Sequence, residues 1–160
     1  YHEAELMEIL RRAITRLHMP AIHDDALYEI ARRSRGTPRI TLRLLRRVRD
    51  FVEVRAEGAY EPSTIADALA LERIDELGLD DLDRTYLRTI GDVYEGGPVG
   101  VEAIAASLGE DAGTLEDMVE PFLLQIGFLA RTRQGRCLTS KSSDYLSPAG
   151  QAKVQSLFAT

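Results

Sequence analysis

Three glycines and a proline fall within five residues, Gly96-Gly97-Pro98-Val99-Gly100, and no helix can run through them. The break separates two runs of helical periodicity, residues 82–93 and residues 101–108, so the second half of the chain cannot be a simple long bundle. The shorter run meets the turn Gly109-Glu110-Asp111. Thr114, Leu115, Glu116 and Asp117 then open the next helix like a capping box, with Asp117 shorter than the usual Glu or Gln. After Gly127, residues 128–132 and 137–140 are strand-like and flank Arg133-Gln134-Gly135, which predicts a hairpin. Helix, helix, turn, helix and hairpin in this order predict a winged helix-turn-helix domain over residues 79–146.

The first half reads as four short helices. Leu6, Ile9, Leu10, Ala13, Ile14 and Leu17 recur at helical spacing. Asp24 or Asp25 can cap a second helix that buries Leu27, Ile30 and Ala31 and ends before Gly36. A third starts at Pro38 and buries Leu42, Leu44, Leu45, Val48, Phe51 and Val52; Ser63 can cap a fourth carrying Ile65, Ala66 and Leu69. Short connections make these a compact bundle over residues 1–78. The whole is mainly α; the stretch from Lys141 is polar and is read as a loop followed by a weak terminal helix, with residues 147–160 set apart as a tail.

Eight arginines and no acidic residue lie between Arg32 and Arg49. At the centre of the run is Gly36-Thr37-Pro38-Arg39, where glycine ends one helix, threonine caps the next and proline fits its first position. Arg39 is then in a first helical turn, whose free N–H groups attract anions, and is well placed to meet a phosphate. A solvated basic face is the competing account of the same run.

A net charge of −6 argues against a general polyanion binder, so any nucleic-acid surface must be a local patch. One cysteine, Cys137, excludes an internal disulfide framework and fits a reducing, cytoplasmic setting; its apolar strand predicts a buried, inert thiol. No apolar stretch is long enough to span a bilayer. The sequence enters a helical pattern directly at Tyr1 without an initiator methionine, which predicts a fragment or processed chain.

Several chemistries are missing from these 160 residues. The only lysines, Lys141 and Lys153, follow no glycine-rich phosphate loop. His2, His18 and His23 have neither ligand spacing nor cysteine companions, so no metal site is expected. No nucleophile elbow surrounds any serine. These residues do not compose a self-contained enzyme.

In most helix-turn-helix proteins the second helix reads bases. Here it carries Glu116, Asp117 and Glu120, which would repel phosphates and make base readout improbable. Positive charge sits on the hairpin instead, at Arg131, Arg133 and Arg136, with Lys141 just beyond. Such a wing would touch the phosphate backbone and give affinity without sequence information. The alternative is a protein-binding winged domain whose arginines keep the hairpin soluble.

The segments ARRSRGTPRITLRLLRRVRDF, GLDDLDRTYL, GGPVGVEAIAASLGED, TLEDMVEPFLLQIGFLART and QGR, in this order, resemble the RuvB family of bacterial Holliday-junction branch-migration motors. The resemblance covers residues 1 to about 145 and implies the C-terminal part of that motor: the helical lid of an AAA+ ATPase followed by a winged-helix domain. It implies that Arg39, supported by Pro38, is the sensor-2 arginine reaching the nucleotide phosphates, and that Tyr1 lies against the nucleotide. It implies DNA contact by Arg131 and Arg136. Where the family wing usually reads TPRGR, this chain has Thr132-Arg133-Gln134-Gly135-Arg136, so charge is displaced to Arg133. The implied cofactor is ATP, with Mg2+ held by the large nucleotide-binding domain, which these residues do not include; alone they should not hydrolyse ATP. The implied partners are duplex DNA and Holliday junctions, RuvA and RuvC, and five further copies in a homohexameric ring. The implied role is recombination and DNA repair through an ATP-dependent helicase. A freestanding winged-helix regulator or a protein-interaction adaptor is the alternative, separable by a preference for one palindrome or by absence of DNA affinity.

Overall fold

The computed structural model describes residues 1–55 and 58–158, and these form two compact units, Tyr1–Asp80 and Asp81–Thr160. Among the described residues no helix is long and apolar enough to cross a membrane.

The first unit is four helices: α1 (Glu3–Arg16), α2 (Asp24–Arg32), α3 (Pro38–Arg55) and α4 (Pro62–Leu71). Apolar residues at helical spacing bring one stripe of each helix into a shared core. Leu6, Leu10 and Ile14 meet Leu27 and Ile30, Leu45, Val48 and Val52, and Ile65 and Leu69. Leu42 and Phe51, expected inside, are only half-buried at the edge of this core.

Two helix starts differ from expectation. His23 rather than Asp24 or Asp25 is the N-cap of α2, which puts both aspartates in the first turn, where their charge suits the helix dipole. Glu61 is the N-cap of α4, with Pro62 at the first helical position and Ser63 already inside. The first unit closes on a turn in which Asp75 Oδ1 accepts from the backbone N–H of Leu77 and Leu79, both at 2.9 Å.

The second unit runs α5 (Asp81–Asp92), α6 (Val101–Leu108), α7 (Ala112–Thr114), a π-helical turn (Leu115–Val119), α8 (Glu120–Gln125), β1 (Leu129–Thr132), β2 (Gly135–Leu138), α9 (Ser140–Leu146) and α10 (Pro148–Phe158). Tyr86, Leu87, Ile90, Ile104, Leu115, Val119, Leu123 and Leu129 are buried in it. α6 stops at Gly109, which is left-handed, and Asp111 caps α7 by accepting from the Thr114 N–H at 3.2 Å. Thr114 is therefore inside the helical segment and does not open it.

The π turn has a cause in the sequence. Pro121 has no N–H for the carbonyl four residues back, and its ring would crowd that carbonyl. Widening the turn just before Pro121 relieves the conflict.

Antiparallel strands β1 and β2 pair Leu129 with Leu138, Ala130 with Cys137, Arg131 with Arg136 and Thr132 with Gly135. β2 thus starts two residues earlier than expected. Val99, from the glycine-proline break, adds a third extended piece: it exchanges hydrogen bonds with Arg136 at 3.0 and 2.7 Å. Cys137 is half-buried and free rather than enclosed. After Lys141, α9 stands where a loop was expected, and α10 is the terminal helix that was expected to follow it. Thr139 caps α9 by accepting from the Ser142 N–H, and Ser142 Oγ accepts from the Thr139 N–H at 3.0 Å. α10 then brings Phe158 over the buried Arg84 guanidinium, 4.9 Å from the ring centre.

Candidate functional site

The hairpin places Arg131 directly opposite Arg136 on one face. Two like charges in that register destabilise a strand pair unless something neutralises them. Glu120, the first residue of α8, does so with a fully buried side chain. Its Oε1 accepts from Arg136 Nε at 2.9 Å, and its Oε2 accepts from Arg136 Nη2 at 3.2 Å and from Arg131 Nη2. Tyr86 of α5, also fully buried, donates its hydroxyl to Oε1 at 2.8 Å. One carboxylate therefore ties α5, α8 and both strands together.

The electrostatics follow from this geometry. Burial alone would raise the Glu120 carboxyl, but the hydrogen bonds from Arg136, Arg131 and Tyr86 outweigh it and hold the group below the ordinary carboxylate range. Burial, and then the bond to Glu120, pushes the Tyr86 phenol upward. The bond to Glu120 raises Arg136 against the opposing effect of burial. A depressed carboxyl gives stability that is complete above its unfolded value, about pH 4.3, and that is lost as pH falls through the folded value. The second unit is expected to lose stability on acidification from about pH 5 downward, and Glu120→Gln should flatten that dependence. Hydrogen exchange at amides of α5 and the hairpin as a function of pH measures it; equal slopes for the two chains would refute it.

The two arginines are not equivalent. The Arg136 side chain is 17% exposed, while that of Arg131 is 47% exposed. Arg136 is also fixed through its backbone by Val99. Two glycines make that approach possible. A Cβ on left-handed Gly97 would run into the Arg136 carbonyl, and one on Gly135 (φ 137°) would lie 2.5 Å from the Val99 carbonyl. At the tip, Thr132 Oγ1 donates to the Gly135 carbonyl at 2.9 Å and accepts from the Gln134 N–H at 3.2 Å, with Arg133 exposed between them. Lys141, expected to extend the charged surface, donates to the Ile126 carbonyl at 3.0 Å and so caps the end of α8.

Glu120 departs from the expectation drawn from charge alone. Glu116 and Asp117 are exposed as expected, but Glu120 faces inward and holds the hairpin rather than confronting a phosphate. Its partner Tyr86 had no expected role. The usable signal was an acid next to Pro121 and flanked by the apolar Val119 and Phe122.

The first unit presents the arginine run. α2 ends at Arg32, before Gly36, and Arg35 (φ 58°) and Gly36 (φ 66°) reverse the chain in the left-handed region. Arg33 is buried and donates to the Glu29 carboxylate, which also accepts from Arg32 at 2.9 Å. Arg35 lies 3.7 Å from Asp80. Arg32 and Arg33 thus turn back onto the end of α2 and Arg35 reaches Asp80, so part of the basic run is engaged within the unit. The Thr37 hydroxyl donates to the Arg35 carbonyl at 3.2 Å, and the Thr37 carbonyl accepts from the Thr41 N–H at 3.0 Å. Arg39 follows Pro38 in the first turn of α3 and is exposed; among the described residues no acidic side chain pairs with it, with Arg43 or with Arg46. Tyr1 precedes α1 and is 71% exposed. Among the described residues no hydrogen bond joins Tyr1 to Arg39, in contrast to Arg131 and Arg136, which share one carboxylate.

Residues 1–75 match the family model of the RuvB AAA lid domain, and residues 76–147 match that of the RuvB C-terminal winged helix domain. The Holliday junction branch migration complex subunit RuvB of Ligilactobacillus salivarius (strain UCC118) is 45% identical over 146 residues, covering 91% of this chain and 43% of that protein. The Thermotoga maritima RuvB Holliday junction branch migration motor is 46% identical, with a TM-score of 0.87 over 91% of this chain and 49% of that one. A single-substitution form of the same protein superposes equally well, with 48% of its length covered. The chain spans less than half the length of these relatives. Lid model and winged-helix model follow one another along residues 1–147, and on that ground the chain belongs to the RuvB family.

Proposed function

We propose that these residues are the lid and DNA-gripping portion of an ATP-driven motor that moves Holliday junctions in recombination and repair. The observation that carries the reading is the hairpin. It presents the half-exposed Arg131 and the exposed Arg133 from a frame fixed by Glu120 and Val99, on a domain whose neighbouring helix keeps Glu116 and Asp117 at the surface. Phosphates suit such a wing, whereas base edges do not suit that helix. A grip on regularly spaced phosphates is also what a motor working on any sequence requires.

In the first unit, Arg39 takes the sensor-2 role. It is exposed, lacks an acidic partner among the described residues, and starts a helix where anions are favoured. Tyr1 would lie against the base or sugar of the same nucleotide. ATP and its Mg2+ would be held chiefly by the large domain that lies outside these residues in the relatives, and Arg39 would couple the phosphates to lid movement. A homohexameric ring acting with RuvA and RuvC completes the proposal.

Binding to random-sequence duplex, measured against salt, tests it. The chain should bind weakly and without preference for a palindrome. Arg131→Ala with Arg133→Ala should weaken binding about tenfold at low salt and reduce the log–log salt slope by about 1.8, or about 0.9 for each phosphate no longer neutralised. Unchanged affinity and slope would remove the wing from the account.

A further inference from the structure

We propose that α10 is a strap that clamps α5, and that its docking sets how firmly the frame beneath the wing is held. The helix lies beyond residue 147, where the match to the winged-helix family model ends. Its eleven residues are too few for a stable helix in water by themselves, so α10 is either docked or melted. Gly150, Val154, Leu157 and Phe158 are spaced to share one side of it. Val154 is buried and Leu157 and Phe158 are half-buried, while Ala152, Lys153 and Ser156 are exposed.

The strap is fixed at both ends. At the near end Ser147 Oγ accepts from the Gly150 N–H at 3.2 Å, and Gln151 Nε2 donates to the Tyr145 carbonyl at 2.9 Å. A Cβ on Gly150 would run into the carbonyls of Tyr145 and Asp144, so the corner closes this tightly only around a glycine. Leu146, just before the corner, lies against the last turn of α5, where a Cβ on Gly91 would be 3.6 Å from its Cδ1. At the far end the Phe158 ring covers the buried Arg84 guanidinium in the first turn of α5, at 4.9 Å. Arg84 also pairs with Asp81 at 2.8 Å, so the cation is held in place beneath the ring. α10 therefore runs back along α5. The same helix carries Tyr86, whose hydroxyl is bonded to Glu120 beneath the hairpin, so strap and wing are attached to one element. Undocking α10 bares the Arg84 side of α5 and lowers the cost of a local opening there.

Amide exchange in the full chain tests the strap from each end. Phe158→Leu keeps apolar bulk but removes the ring face that the guanidinium meets. It should lower protection at Leu87 and Ile90 about threefold to thirtyfold, the span of a cation–π contact from exposed to desolvated settings. Gly150→Ala leaves Phe158 in place and forces the corner apart instead, and should lower protection at the same amides at least as much. In both chains the Arg136 amide, bonded to Val99, should lose protection too, while those of Leu45 and Val48 in the first unit keep theirs. A second readout reports the seating of the ring. The Arg84 δ protons should be shifted upfield in the original chain and return toward ordinary values in the Gly150→Ala chain, although that chain retains Phe158.

Unchanged protection at Leu87 and Ile90 in either substituted chain would make α10 a passive tail and overturn the inference. Loss confined to α5, with the Arg136 amide unaffected, would detach the strap from the wing and overturn it as well. So would an Arg84 shift that survives Gly150→Ala. Parallel loss in α5 and at Arg136, from substitutions at opposite ends of α10, establishes it.

Discussion

Replacing Glu120 by alanine is expected to destabilise the second unit by about 3–5 kcal/mol, the usual cost of removing one partner from a buried ion pair. The carboxylate accepts from three side chains on three other elements, and alanine accepts from none. Tyr86 would be left with a fully buried hydroxyl and no acceptor. Arg131 and Arg136 would face each other across the strand pair with nothing between them. Arg131 can hydrate, so most of the loss comes from Arg136 and Tyr86. Denaturant unfolding followed by amide exchange in α5 and the hairpin measures the change. A loss under about 1 kcal/mol would mean that water replaces the carboxylate and that the network is not what holds the hairpin.

Gly135→Ala is the second large effect, expected at about 2–6 kcal/mol. Its φ of 137° is a conformation that side chains rarely adopt, which costs about 1–3 kcal/mol. A Cβ there would also lie 2.5 Å from the backbone of Val99, and relieving such overpacking costs about another 1–3 kcal/mol. The strain falls on the Val99–Arg136 bridge, so the amide protons of those two residues should lose protection before those of Ile90 or Leu123 in the core. Equal loss of protection throughout the unit would show that the bridge is not the weak point. If the bridge opens, Arg136 loses its backbone restraint, and duplex binding should weaken along with stability.

Much of the architecture was legible because it depends on local pattern. The 3.6-residue spacing of Leu6, Leu10 and Ile14 marks a helix whatever it packs against, and Gly109 stops a helix wherever it stands. The break at residues 96–100 and the order of elements after it were enough for a winged helix. Less legible were the helix starts. His23, Glu61 and Asp111 outcompeted the residues that composition favoured, because a cap depends on which turn the following chain closes first. Of the two helices after Thr139, α10 was expected as a weak terminal helix, but α9 was read as loop because its sequence is polar. They are held by a capping box and by contact of Tyr145 with Phe128 and of Phe158 with Arg84, none of which shows as periodicity.

The candidate site divides in the same way. The sequence by itself determined the lid and wing, the basic run, and the positions of Arg39, Arg131, Arg133 and Arg136, because these are matters of residue type and order. Only the tertiary structure decided which of those charges are available. In a regular helix Glu116 and Glu120 would share a face, since four residues make about one turn. The π turn ahead of Pro121 inserts a residue and rotates the rest of the helix by about 100°, so Glu116 stays in water while Glu120 turns into the core. The wing arginines come together because antiparallel register sets residues 131 and 136 opposite each other, a relation that composition does not carry. Charge is a property of a residue, but its availability depends on what the fold places within hydrogen-bonding reach, and here that is Glu120 beneath the wing and Glu29 beneath Arg32 and Arg33.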